Sequence, residues 1–146
     1  MLVRYARQDG CAQAAMVPVR VRDEQLEVAL ITSSRGKRWI VPKGFVDDGE
    51  SPLESARRET LEEAGLIGRV LRPALGRYRY DKGRERFEVA VFLMRVTEEL
   101  DSWDEDDRRR RRWFLLDDAL RKVEDDALRR LVRLAGRRMR ARAAST

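Results

Sequence analysis

The chain has 146 residues and a net charge of +6, with 40% of its residues charged, no histidine and one cysteine. That length suits one domain around one core, and a lone Cys11 excludes an internal disulfide and a cysteine-built zinc site. Without histidine, catalysis must run on carboxylates, Lys, Arg, Tyr or a bound metal. Of the 32 basic residues 28 are Arg, a bias that suits a polyanionic ligand because a guanidinium grips phosphate oxygens in pairs, although an arginine-rich genome leaves the same mark.

Residues 1–10 hold Arg4, Arg7 and Asp9 and lack the long apolar run of a signal peptide. No apolar stretch approaches the roughly 20 residues that span a bilayer, so a cytoplasmic protein is expected. Residues 14–21 and 26–32 are apolar and β-branched, with Arg22, Asp23 and Glu24 between them, and predict two strands and a turn. Trp39, Ile40 and Val41 predict a short strand ended by Pro42, and residues 44–49 a glycine-bracketed loop. The clearest helix start follows. Ser51 is a good N-cap, Pro52 fits the first helical position, and Glu54 completes a capping box. The helix should reach Ala64, with Gly65 ending it in the left-handed conformation and Leu53, Ala56, Thr60, Leu61 and Ala64 packed on the sheet.

Val70 and Leu71, then residues 75–80 and 87–96, read as further strands, with a charged hairpin turn over 80–86. Residues 101–107 predict an acidic loop, and the arginines of 108–112 lead into a short strand at Trp113, Phe114 and Leu115. Strand alternation would turn about two of those five arginines towards a site. Asp117 or Asp118 is expected to cap a short helix, and Asp125 or Asp126 a longer one that buries Leu128, Leu131, Val132 and Ala135. Residues 1–136 then form one domain, and 137–146 a basic, frayed, disordered tail.

Glu59, Glu62 and Glu63 project from one side of the capped helix. Three like charges in so small a patch repel, a divalent cation relieves them, and carboxylate oxygens are the ligands magnesium prefers. The missing side chain of Gly44 would let its carbonyl approach the same ion, and Glu50 can pair with Arg58. Taken alone, an Arg-Glu-x-x-Glu-Glu string is more often a solvated helix face. The wider spacing decides otherwise. Gly44, Glu50, Arg58-Glu59, Glu62-Glu63, Gly65 and Leu66 together resemble the full Nudix signature, with Thr60 departing from the usual apolar residue.

The resemblance implies an α/β protein, a Nudix-type α/β/α sandwich around a mixed β-sheet. It also implies a hydrolase that cleaves a phosphoanhydride by water with Mg2+ or Mn2+. By that likeness Glu59, Glu63 and the Gly44 carbonyl bind the metal. Glu62 is the base that takes the water's proton, with Glu59 as the alternative.

Ser33-Ser34-Arg35 and Arg38-Trp39-Ile40-Val41-Pro42 are similar to the corresponding segments of diphosphoinositol polyphosphate phosphohydrolases, as are residues 96–100, Trp103 and the run into Trp113-Phe114. Lys43 departs from the animal members of that group and is similar to diadenosine tetraphosphate hydrolases. Both substrates are long anionic polyphosphates. The likeness implies that Ser33, Ser34, Arg35, Arg38, Lys43 and Arg109 surround substrate phosphates. Oxidised nucleoside triphosphates and ADP-ribose are the alternative substrates. Trp39, Tyr78, Tyr80 and Trp113 are expected as packing aromatics, with stacking on a base as the alternative, and Glu105 as a solvated loop charge, with an additional metal ligand as the alternative.

Two rival readings remain. A basic nucleic-acid-binding module, suggested by the arginine run and tail, predicts salt-dependent binding without hydrolysis and leaves the glutamate spacing unexplained. A Nudix-fold regulator that binds nucleotide sugars without cleaving them sits badly with an intact glutamate trio. The expected partner is therefore a polyphosphorylated small molecule, with neither membrane nor nucleic acid expected.

Overall fold

The computed structural model describes residues 12–145, so the readings of residues 1–10, Cys11 and Thr146 lie outside it. β1 (Gln13–Arg22) and β2 (Gln25–Thr32) form a hairpin in which Arg22 pairs with Gln25 across Asp23 and Glu24. Both turn residues have positive φ, as so tight a connection requires. β3 (Trp39–Ile40) pairs with the end of β2, and β4 (Lys43–Phe45) with the start of β1. Gly44 therefore sits in a short strand opposite Ala14, not in the loop expected there.

β5 (Leu66–Lys82) and β6 (Glu85–Glu99) make a long hairpin. The two strands expected before the hairpin turn are one. A register shift between Leu71 and Gly76 lets exposed residues 72–74 leave the ladder, which is why the apolar pattern breaks there. β6 runs parallel to β1 and every other pair is antiparallel, giving a mixed sheet in the order β3-β2-β1-β6-β5. β4 joins it on β1, and β7 (Arg111–Leu115) on β2.

Alternation along β1 places a core on each face of the sheet. Ala15, Val17 and Val19 meet residues of α2 (Leu116–Lys122) and α3 (Asp126–Ala144), including Ala119, Leu128 and Val132. Ala14 and Met16 face the other way, onto Ala56 of α1 (Pro52–Ala64). Helices cover both faces, which makes the sandwich.

The ends of α1 are set by local chemistry. Glu54 N–H donates to Ser51 Oγ at 3.1 Å, Ser51 N–H donates to Glu54 Oε1 at 2.8 Å, and Gly65 takes φ 63° to close the helix. Its buried stripe is Ser55, Ala56, Thr60, Glu63 and Ala64. Thr60 satisfies its hydroxyl by donating to the Ala56 carbonyl at 2.6 Å, so the departure from an apolar residue is accommodated. Leu61, expected against the sheet, is 41% exposed because it lies outside that stripe of small side chains.

Two expectations at the C-terminal end fail. No side chain caps α2: Leu115 holds the N-cap position, and Asp117 and Asp118 lie inside the first turn, where they favour the helix dipole. α3 is capped as expected by Asp125, but it runs on to Ala144, so residues 137–144 are helical where a frayed tail was expected. Met139 packs on the core, Arg138 donates to the Pro73 and Ala74 carbonyls, and the stretch is rich in good helix formers. Among the described residues no helix is long and apolar enough to cross a membrane.

Candidate active site

Strand β4 runs beside α1, and the contact between them builds the site. A Cβ on Gly44 would overlap the Glu59 carboxylate and lie 2.8 Å from Glu59 Cγ, so glycine makes the room that Glu59 occupies. One residue back, the Lys43 N–H donates to Glu63 Oε1 at 3.1 Å. Two glutamates of α1 are thereby drawn onto the edge of the sheet, while Glu62 remains half-exposed.

Two arginines thread the cluster. Arg58 Nε donates to Glu50 Oε2 at 2.8 Å, and its Nη1 reaches Glu59 at 3.1 Å and Glu62 at 3.4 Å. Arg109 Nε donates to Glu105 Oε1 at 2.9 Å, Nη1 to the Thr32 carbonyl at 2.9 Å, and Nη2 to Glu63 Oε2 at 3.4 Å. Glu105 is no free loop charge: its N–H donates to the Glu62 carbonyl at 3.0 Å, which fixes it beside the helix. In the arginine run, Arg109 and Arg111 turn inward while 108, 110 and 112 are exposed. Arg111 binds the Ala64 and Leu100 carbonyls at 2.8 and 3.0 Å and stacks on Trp103, a structural tie at the end of α1.

Five carboxylates, Glu50, Glu59, Glu62, Glu63 and Glu105, thus face two guanidinium groups. Burial pushes Glu63 up to about 7 against the pull of Arg109, with Glu59 and Glu105 adding repulsion. Glu59 is also raised, chiefly by burial and further by Glu62, with Arg58 opposing. The hydrogen bond from Arg58 holds Glu50 far below its ordinary value, at about 2.

The depressed Glu50 group contributes stability that is complete above its ordinary 4.5 and lost as pH falls through about 2. Glu50→Gln should therefore lower the melting temperature at neutral pH and flatten the fall of stability over that acid window. Parallel stability–pH curves for the two proteins would show the pair contributes nothing.

Among the described residues no three acidic or thiol side chains are already gathered in ligating geometry. Glu59 and Glu62 turn to Arg58, and Glu63 to Arg109. The donor set nevertheless fits a hard divalent cation: all oxygen, in charge excess, with a glycine backbone beside two desolvated carboxylates.

A cleft of about 420 Å³ opens on the other side of Lys43, within the size range of small-molecule sites. Arg38, Trp39, Lys43, Tyr80, Lys82 and Leu128 are among its walls. Lys43 Nζ donates to Tyr80 Oη at 3.1 Å and Gln13 Oε1 at 3.4 Å, and the Tyr80 hydroxyl donates to Gln13 Oε1 at 2.7 Å. One residue therefore touches the carboxylates with its backbone and the cleft with its ammonium.

Of the residues expected around phosphates, Arg38 and Lys43 line the cleft. Ser33 is buried and its hydroxyl accepts from the Arg38 N–H at 3.2 Å, shaping the turn. Ser34 and Arg35 are exposed on that turn, away from the cleft walls, and Arg109 is held among the carboxylates. Trp39, Tyr78 and Tyr80 all pack in or on the core and edge the cleft, and Trp113 donates to Glu99 away from it. Gln13, at the cleft through Lys43 and Tyr80, and Lys82, in its wall, are functional candidates that belong to no sequence motif. Gln13 is a lone polar residue in the apolar run 12–17, a mark that such a side chain is spent on a partner.

A NUDIX domain model matches residues 12–135. Nudix hydrolase 4 of Arabidopsis thaliana is 37% identical over 125 residues, covering 79% of this chain and 58% of that protein. Diphosphoinositol polyphosphate phosphohydrolase 3-alpha of Mus musculus is 39% identical over 101 residues, 67% of this chain and 60% of that one. The chain thus spans less than two thirds of the length of these relatives. A crystal structure of C. elegans Ap4A hydrolase, 24% identical, superposes with a TM-score of 0.71 over 84% of this chain and 93% of that one, a likeness of fold. The matched span runs from the first described residue into the buried middle of α3 and takes in the whole sheet and the glutamate-bearing helix, and the chain belongs to the Nudix family.

Proposed function

We propose that the protein hydrolyses a phosphoanhydride bond in a polyphosphorylated small molecule, with a divalent metal. The observation that carries this reading is the single residue, Lys43, joining a carboxylate cluster in charge excess to a cleft in which Arg38, Lys43 and Lys82 stand alongside Asp81, Glu124 and Asp125. Glu59, Glu63 and the Gly44 carbonyl would hold Mg2+ or Mn2+. When bound, that ion supplies charge neutralisation at the bridging phosphates and a binding position for water. Glu62 is the base: a half-exposed carboxylate on the same helix face takes the water's proton as the new P–O bond forms, and the leaving phosphate departs with the electrons of the broken anhydride bond. Glu59, pressed against Gly44, is the better placed to be a ligand.

Arg38, Lys43 and Lys82 would grip the remaining phosphates. This agrees with a substrate class shared by diphosphoinositol polyphosphates and diadenosine polyphosphates, the first supported by the named mouse relative and the second by likeness of fold to the Ap4A hydrolase. Lys43→Ala removes one charge-assisted hydrogen bond, so KM for such substrates should rise about tenfold to a hundredfold while ADP-ribose changes less. An equal effect on both would remove Lys43 from the phosphate grip. The reading as a whole is tested by product release from diphosphoinositol polyphosphate, diadenosine polyphosphates, oxidised nucleoside triphosphates and ADP-ribose, with and without chelator. Chelator-sensitive cleavage favouring the polyphosphates is expected. Cleavage indifferent to chelator, or none of any substrate, overturns it.

A further inference from the structure

The positive charge of this protein is not spread over its surface. Residues 127–146 contain seven arginines and no acid, a charge of +7 against +6 for the whole chain, so residues 1–126 carry −1. Several arginines elsewhere sit beside acids, as Arg79 does with Glu88, Arg86 with Asp81 and Arg121 with Asp118. In α3 that compensation stops after Asp126, which pairs with Arg129.

Arg130, Arg133, Arg137 and Arg140 follow one another at spacings of three, four and three, which puts them on one face of α3 over about 15 Å. All four are exposed, and none makes an ion pair or hydrogen bond with its side chain among the described residues. The opposite face, with Leu128, Val132, Ala135 and Met139, packs on the core, so the stripe is mounted on a fixed support. Like charges at these spacings repel one another, and a ligand of regularly repeated negative charge removes that repulsion.

We infer that this face of α3 docks the phosphate backbone of double-stranded nucleic acid, independently of base sequence. A duplex presents one charge per about 1.7 Å of its axis, so a stripe of this length meets several phosphates, each suited to a guanidinium fork. No aromatic side chain lies on α3 to stack on an unpaired base, and none of the exposed large hydrophobic residues belongs to it, which leaves nothing to insert into a lipid surface. The helix begins at the cleft, with Asp125 and Leu128 in its wall, and the stripe runs away from it. Docking and small-molecule hydrolysis are therefore separate properties of one domain.

The test uses the full chain and short blunt duplexes of DNA and of RNA, followed by fluorescence anisotropy across a salt series. Replacing all four stripe arginines by Gln should reduce the slope of log affinity against log salt by about 3.6, so that roughly a hundredfold of salt sensitivity disappears between about 50 and 200 mM. Helix content by circular dichroism and cleavage of the small-molecule substrate should be unchanged. Arg79→Gln with Arg86→Gln, arginines that already have acidic partners, should leave binding as it was; binding to one duplex alone would name the source of the backbone. The inference is overturned by failure of the wild type to bind either duplex at low salt, by a slope unchanged in the stripe variant, or by phosphatidylserine vesicles capturing the chain as tightly as a duplex.

Discussion

Glu63→Gln is expected to lower kcat by about two to four decades and to leave the fold standing. Glu63 lies on the buried stripe of α1, receives the Lys43 N–H at 3.1 Å, and is the carboxylate most strongly desolvated in the cluster. Gln keeps its volume and can still accept that hydrogen bond, but it cannot supply the charge a divalent ion needs, and metal-borne charge stabilisation accounts for several kcal/mol of a transition state. Arg109 keeps Glu105 as partner at 2.9 Å, so no buried cation is abandoned. The melting temperature in chelator should therefore equal or exceed that of the wild type. Turnover within tenfold of wild type would remove Glu63 from the metal site, whatever the stability did.

Gly44→Ala should have the second largest effect, by a different route. The added methyl would strike the Glu59 side chain from its carboxylate back to Cγ, so that flexible side chain must swing aside, and Gly44 has no left-handed φ to strain. Stability should then change by no more than about 1 kcal/mol, while kcat falls by about two decades because the carboxylate has left its place. A cycle with Glu59→Ala sharpens the test. If the methyl acts through Glu59, the double variant is no slower than Glu59→Ala alone. Multiplicative losses would mean that Gly44 matters for its own backbone and not for the room it leaves.

What could be read in the residues differs between the two halves of the site, for a physical reason. Ser51, Pro52, Glu54 and Gly65 act within one helix, so α1 and its glutamates are legible from neighbours in sequence, and the Glu50–Arg58 pair follows from them. The cleft is another matter. Gln13 meets Tyr80 from 67 residues away, and Lys43 joins them from a strand whose pairing with β1 has no local mark.

The same distinction explains where the structure departs from local pattern. β5 reads as two strands because its ladder breaks between Leu71 and Gly76 while its partner continues. The basic C-terminal segment reads as a frayed tail because Met139 and Arg138 find their partners in elements far back in the chain. For Arg109 likeness implies a place at a substrate phosphate, and the fold sets it between Glu63 and Glu105, beside the cluster proposed to hold the metal.

The most direct test of the metal assignment is a titration of Mn2+ followed by electron paramagnetic resonance, without substrate, in the wild type and in Glu59→Gln and Glu63→Gln. The wild type should bind the ion, and each variant should bind it at least about tenfold more weakly, since each loses one charged ligand. Binding of equal strength in all three proteins would place the ion elsewhere and contradict the assignment of these two glutamates.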